Sequence, residues 1–209
     1  MTVLNKLAYF QNIRNDVPNQ ELARELAEEK NKAGIEEIVE NLENKEKKIR
    51  SNCIKVLYEI GYISPELIAD YVFSFLKLLR SRDNRMVWSG MFALSTIAEL
   101  KATEIFDNLD EILEAIAKGS VITIDGGIKT LSLVASTKKE YQHKIFPYLL
   151  NHLKNCRPKE IAMHAEFIMK AVDSNNKTEF IEVLNKRSDI LKPTQLKRIQ
   201  KIFKQLDDC

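Results

Sequence analysis

The sequence predicts an all-α protein, an α-α superhelix built as a right-handed solenoid of about five helical-hairpin repeats. Three observations carry that expectation. The first is a set of four columns spaced by 37 residues, apolar in every copy: Ile35, Val72, Leu109 and Phe146; Ile38, Phe75, Ile112 and Leu149; Val39, Leu76, Leu113 and Leu150; Leu42, Leu79, Ile116 and Leu153. A period of that length marks stacked units that share a continuous core. The second is a companion set in the following helix. Ile49, Val56, Leu57 and Ile60 map by 37 onto Met86, Ala93, Leu94 and Ile97, then onto Thr123, Thr130, Leu131 and Val134. A shift of 38 carries the set to Ile161, Ile168, Met169 and Val172. The third is a column of small residues only: Cys53, Gly90, Gly127 and Ala165. Glycine inside a helix costs about 1 kcal/mol against alanine, so two glycines at one repeat position imply close approach of a neighbouring backbone.

Taken in order, residues 3–15 read as a weak amphipathic helix with Leu4, Leu7 and Ala8, followed by a turn at Asn15–Asn19 around Pro18. Residues 19–32 follow as a helix with Leu22, Ala23, Leu26 and Ala27 on one face. Residues 1–33 thus form a degenerate N-terminal cap, as terminal repeats are atypical. Four regular repeats occupy 34–172, and a shorter capping repeat occupies 173–209, all within one domain. Repeat one places helices near 34–43 and 45–61. Ser64, with Pro65 in the first turn, opens a helix running to about Leu79. Asp83 caps the next, Thr103 and Glu104 open repeat three, and Ser120 caps its second helix. Thr137 with Glu140 and Asn176 with Glu179 match the capping-box spacing. Pro158 and Pro193 begin later helices. Residues 121–124 (VITI) have strand propensity, which the repeat register overrides.

Composition bounds the function. A formal net charge of +2 is close to neutral, which by itself calls for neither nucleic acid nor membrane. The charge is uneven: residues 16–43 hold nine acids and three basic residues, whereas 137–204 hold fifteen basic residues and seven acids. Three widely spaced cysteines, Cys53, Cys156 and Cys209, and the lack of a signal peptide imply a reducing, cytoplasmic setting. No apolar run approaches the roughly eighteen residues of a membrane span.

Paired helices with a period near 37, a branched residue opening the second helix and a small residue one turn later resemble the HEAT-like, armadillo-type repeats. Ile49-Arg50 followed by Cys53, Leu57 and Ile60 carries the closest likeness. The family's Asp/Arg pattern is kept only at Arg50; Val87, Ile124 and Ala162 stand at the later copies. A tetratricopeptide array would need a period of 34 and its own signature. The resemblance implies a binding scaffold that takes a protein or peptide in a concave groove lined by the second helices, with no cofactor and no metal.

On that face the columns outside the core become a surface map. Lys55, Trp88, Phe92, Asp125, Lys129, Met163, His164 and Phe167 fall on it. Register predicts one contiguous patch of Trp88, Phe92, Lys129 and Phe167, with Asp125 and His164 at its edge. Exposed aromatics mark binding sites; the competing reading has Trp88 and Phe92 buried between helices. The layout also resembles the cleft of HEAT-like alkylpurine DNA glycosylases, with Trp88, Lys129 and Phe167 in three of four positions. Phe92 takes the place of the acid, so no catalytic residue carries over; what remains is an alternative of nucleic-acid binding. Lys197, Arg198, Lys201 and Lys204, with Lys192, form a basic run on the last helix, either a solvated cap or a phosphate-binding patch. His152 and Cys156 are four apart on one helix, the spacing of a soft-metal pair, but the third and fourth ligands are missing and the favoured reading is a solvated helix face. Asp125-Gly126-Gly127 falls inside a helix and is not a phosphate loop. No nucleotide, zinc-protease or nucleophile-elbow motif is present.

Overall fold

A computed structural model describes residues 2–207 of the chain. Among them there are helices and turns and no strand. The α-helices are α1 (Val17–Glu28), α2 (Lys32–Glu40), α3 (Lys47–Ile63), α4 (Val72–Leu78), α5 (Asn84–Ile97), α6 (Ala102–Asp107), α7 (Leu109–Lys118), α8 (Val121–Thr137), α9 (Lys139–Asn155), α10 (Pro158–Ile168), α11 (Lys177–Lys186) and α12 (Pro193–Asp207). No helix among the described residues is long and apolar enough to cross a membrane. The chain divides into two compact units, Met1–Gly127 and Ile128–Cys209.

In the first unit, α3 lies between α1 and α5, while α2 packs on α3 and α4 on α5. This is the hairpin arrangement that the 37-residue period requires. Ile38, Phe75 and Ile112 of one column have no exposed surface, and Leu57 and Leu94 of another have none either. The column residues therefore meet the neighbouring helix, and each hairpin buries its apolar stripe against the next. In the second unit α9 packs on α10 and α11, and α12 packs on α10 and α11. Leu149, Leu153, Ile161 and Ile168 are buried there in the same columns.

Several starts follow the sequence. The Asp83 carboxylate accepts from Arg85 N at 3.0 Å, and Ser120 Oγ accepts from Thr123 N at 3.3 Å. Pro158 and Pro193 each stand at the head of a helix, where a missing N–H costs nothing. The VITI segment is helical within α8.

Other boundaries differ. Residues 3–15 form no α-helix, only a short 3-10 turn at Leu4–Lys6. Leu7 and Ala8 are both buried. Backbone turns bond most of the segment locally, and side chains from two other helices take the N–H groups of Ala8 and Tyr9. Asn19 Oδ1 accepts from Ala8 N at 3.0 Å, and Asn52 Oδ1 accepts from Tyr9 N at 2.9 Å. Pro18 belongs to the first turn of α1 rather than to a preceding turn. Ser64 makes no side-chain cap, and Pro65–Leu67 and Ala69–Tyr71 are 3-10 turns before α4 begins. Thr137 caps nothing, because its hydroxyl bonds back to the Val134 carbonyl at 2.8 Å. Asn176 likewise spends its side chain on Asp173 N and the Ala171 carbonyl rather than on α11. Cys209 lies outside the described residues.

Asn19 gives a first test. Its side chain is buried and holds the backbone of a segment that has no helix of its own. Asn19→Ala leaves the Ala8 N–H without its acceptor and is expected to lower stability by about 1–2 kcal/mol in urea unfolding. An unchanged midpoint would show that the N-terminal segment is not anchored there.

Candidate functional site

Trp88 and Phe92 sit one turn apart on α5 and so share a face. Both are half-buried. Their rings meet edge-to-face with centroids 5.6 Å apart. From α3, Tyr58 reaches Phe92 at 5.9 Å, again edge-to-face, and Tyr62 follows Tyr58 at 6.1 Å. The result is a chain of four aromatic rings across two adjacent second helices. Burial varies along it: Tyr58, inside the chain, is buried, whereas Tyr62 at one end is 52% exposed. Offset contacts of this kind add about 0.5–1.5 kcal/mol per pair beyond burial and hold the rings in fixed orientations.

Lys55 crosses this chain. Its Nζ lies 4.8 Å from the Tyr58 ring centroid and 2.5 Å from Glu59 Oε1. Burial pulls the Lys55 ammonium down, but the hydrogen bonds to Glu59 and Tyr58 outweigh it and its pKa is raised. The cation is thus neutralised locally and presents an apolar stem. On α8, Asp125 is half-buried, and its neighbour Gly126 lies flat against the cluster. A Cβ there would stand 3.1 Å from Phe92 Cδ1, so the glycine admits the ring.

The remaining expected site residues belong to the second unit. Lys129, Met163 and Phe167 are half-buried, and burial pulls the Lys129 ammonium down from its usual range. His164 is different: it is 0% exposed and does not stand at the rim of a water-facing surface. Its ring turns inward, where its Nδ1 lies 2.9 Å from His152 Nε2. Cys156 joins the same cluster, with the three ligating atoms within 4.8 Å of one another. The third group that the sequence did not supply beside His152 and Cys156 therefore comes from α10. Burial, then the second imidazole, holds the His152 pKa down to about 4, and burial pushes the Cys156 thiol up to about 11.

On α12, Lys197, Lys201 and Lys204 are exposed. Arg198 is not a spare cation: its Nε and Nη2 grip Glu166 at 2.7 and 2.5 Å. The basic run thus contains a fixed ion pair that ties α12 to α10. A cleft of about 730 Å³ lies elsewhere, between α5 and α7. Two ion pairs line it, Arg80 on Glu111 at 2.7 and 2.8 Å and Lys118 on Glu114.

Tyr58 and Tyr62 were not among the expected site residues. An i, i+4 aromatic pair beside Lys55 was the available signal.

No protein-family model matches this sequence, and no curated protein matches it. Solved structures do. An engineered protein aligns with a TM-score of 0.68 and 18% identity, covering 100% of this chain and 98% of the other. A designed armadillo repeat protein, solved in complex with the peptide (KR)4, aligns at 0.64 with 15% identity over 88% of this chain and 85% of that one. Kap121p aligns at 0.64 with 17% identity over 90% of this chain, which spans only 20% of Kap121p. At these identities the likeness speaks to architecture alone. The fold is that of the armadillo- and HEAT-type α-helical repeats, an all-α superhelix.

Proposed function

We propose that the protein is a non-enzymatic interaction scaffold of the cytoplasm that binds a peptide or amphipathic helix on the α3/α5 face of its first unit. The observation that carries this reading is the aromatic chain Trp88–Phe92–Tyr58–Tyr62, partly open to solvent and rigidly oriented. Half-buried aromatics held by neighbours lose little entropy on binding and supply large contact area. Trp88 and Phe92 act as anchors, and Asp125 and Lys55 with Glu59 set orientation. The buried, unpaired thiols of Cys53 and Cys156 suit a reducing compartment. The designed armadillo repeat protein of similar fold, solved in complex with the peptide (KR)4, supports this reading.

The test selects binders from a displayed random-peptide library and measures their affinity. Trp88→Ala and Phe92→Ala are each expected to weaken binding about thirtyfold, the roughly 2 kcal/mol of a central anchor. Phe73→Ala, 63% exposed and on α4, is expected to change nothing. Affinity should be nearly independent of salt. If instead binding falls steeply with salt and depends on Lys197, Lys201 and Lys204 but not on Trp88, the protein is a nucleic-acid binder and the scaffold reading fails.

A further inference from the structure

The geometry points to a zinc site in the second unit, formed by His152 Nε2, Cys156 Sγ and His164 Nδ1. All three atoms lie within 4.8 Å of one another, and two of them are 2.9 Å apart. A tetrahedral zinc with Zn–N near 2.0–2.1 Å and Zn–S near 2.3 Å needs N···N of about 3.3 Å and N···S of about 3.6 Å. The side chains therefore need only small rotations to close on an ion. Two imidazoles and one thiolate form the mixed N/S set that zinc accepts.

The local sequence builds this set in two steps. His152 and Cys156 are four residues apart at the end of α9, so they project from one face. The chain then turns, and α10 returns His164 to that face from inside the hairpin. The turn is held from outside. Arg187 donates to the Leu153 carbonyl at 3.1 Å, to the Lys154 carbonyl, and to the Cys156 carbonyl at 2.7 Å. Fixing the backbone of a ligand residue in this way is what outer-shell contacts do at metal sites. Glu160 adds the complementary charge. It is 7% exposed, is paired with Arg157 and stands near enough to interact electrostatically with His152, Cys156 and His164. A zinc bound to one thiolate keeps a single positive charge, which the Glu160 carboxylate offsets electrostatically from outside the three-residue ligand set. The alternative is that the cluster is only core, the two histidines satisfying each other through one hydrogen bond. That alternative leaves the placement of the Cys156 thiol beside the pair without a reason.

Binding replaces the thiol S–H bond by S–Zn and releases that proton to solvent. No oxidant or reductant takes part.

The full chain is stripped with a chelator and titrated with Zn²⁺ against a chromophoric competitor. One equivalent is expected to bind, and the melting temperature is expected to rise on loading. Co²⁺ in its place is expected to give a thiolate-to-cobalt charge-transfer band and tetrahedral ligand-field absorption, a readout in the wild-type chain that needs no variant. Cys156→Ser and His152→Gln should lose at least the tenfold to hundredfold in affinity that outer-shell changes alone cost, with the helical content of the metal-free protein unchanged. Glu160→Gln should lose about tenfold. Absence of stoichiometric binding, a cobalt spectrum without the thiolate band, or equal zinc affinity in Cys156→Ser would each overturn the assignment and return the cluster to the core.

Discussion

Replacing Phe75 with alanine is expected to remove about 3–5 kcal/mol of stability, the range for deleting a fully buried aromatic. Phe75 has no exposed surface and is among the largest side chains of the core. It occupies the column that also holds Ile38, Ile112 and Leu149, all fully buried. Phe73 stands two residues away on the same helix and is 63% exposed. Because a helix turns by about 100° per residue, positions two apart face different sides. Phe73→Ala should therefore fall within about ±0.5 kcal/mol. Urea midpoints of the two variants decide the matter. If both shift equally, or if Phe75→Ala costs under about 1 kcal/mol, the repeat register assigned to α4 is wrong.

The contrast between Phe73 and Phe75 shows what was legible in the sequence. One phenylalanine alone says nothing about burial, but four apolar residues at a fixed period of 37 select the inward position. For the same reason the register overrode the β-branched VITI run. What the period could not supply was anything that depends on a single copy. The N-terminal segment looked helical because Leu4, Leu7 and Ala8 have the right spacing. It folds instead into short backbone turns, with Ala8 N and Tyr9 N held by the Asn19 and Asn52 side chains. Caps failed in the same way: Thr137 and Asn176 match a local pattern, yet their side chains found nearer backbone partners.

The site residues divide along the same line. Trp88 and Phe92 were found by register, and register also brought Lys55 to the same face. Tyr58 has Ser95, Ser132 and Lys170 at its repeat equivalents, so the period did not single it out and only its i, i+4 pairing with Tyr62 did. His164 was misplaced for a physical reason. Register says which side of a helix a residue is on, but not whether the preceding helix offers it a partner. His152 and Cys156 reach across the α9–α10 hairpin and take His164 inward. The repeat copies show no equivalent trio, since Ser89 and Gly126 stand at its position in the earlier copies.

Gly90→Leu is expected to cost about 3 kcal/mol or more, at the upper end of overpacking. The small-residue column exists because adjacent helices touch there. A Cβ at Gly90 would stand 2.9 Å from Leu78 Cβ and 3.1 Å from the Phe75 carbonyl oxygen. Neither atom can swing away, because one is fixed to the α4 backbone and the other is part of it. Even Gly90→Ala should be destabilising by about 1 kcal/mol, although removing a helical glycine would by itself gain nearly that much. Gly127 makes a different contact. Its added Cβ would meet Ile116 Cγ1 at 2.4 Å and Cδ1 at 2.6 Å. Those atoms belong to a side chain, so truncating it removes the clash. Ile116→Ala should consequently cost less in a Gly127→Ala background than in the wild type, a coupling that a double-mutant cycle measures directly. Leu78→Ala should give no full rescue of Gly90→Ala, because the Phe75 carbonyl and the Cβ of residue 78 both remain. Equal coupling in the two cycles, or neutral leucines at both glycines, would show that the column reflects coincidence of sequence rather than helix contact.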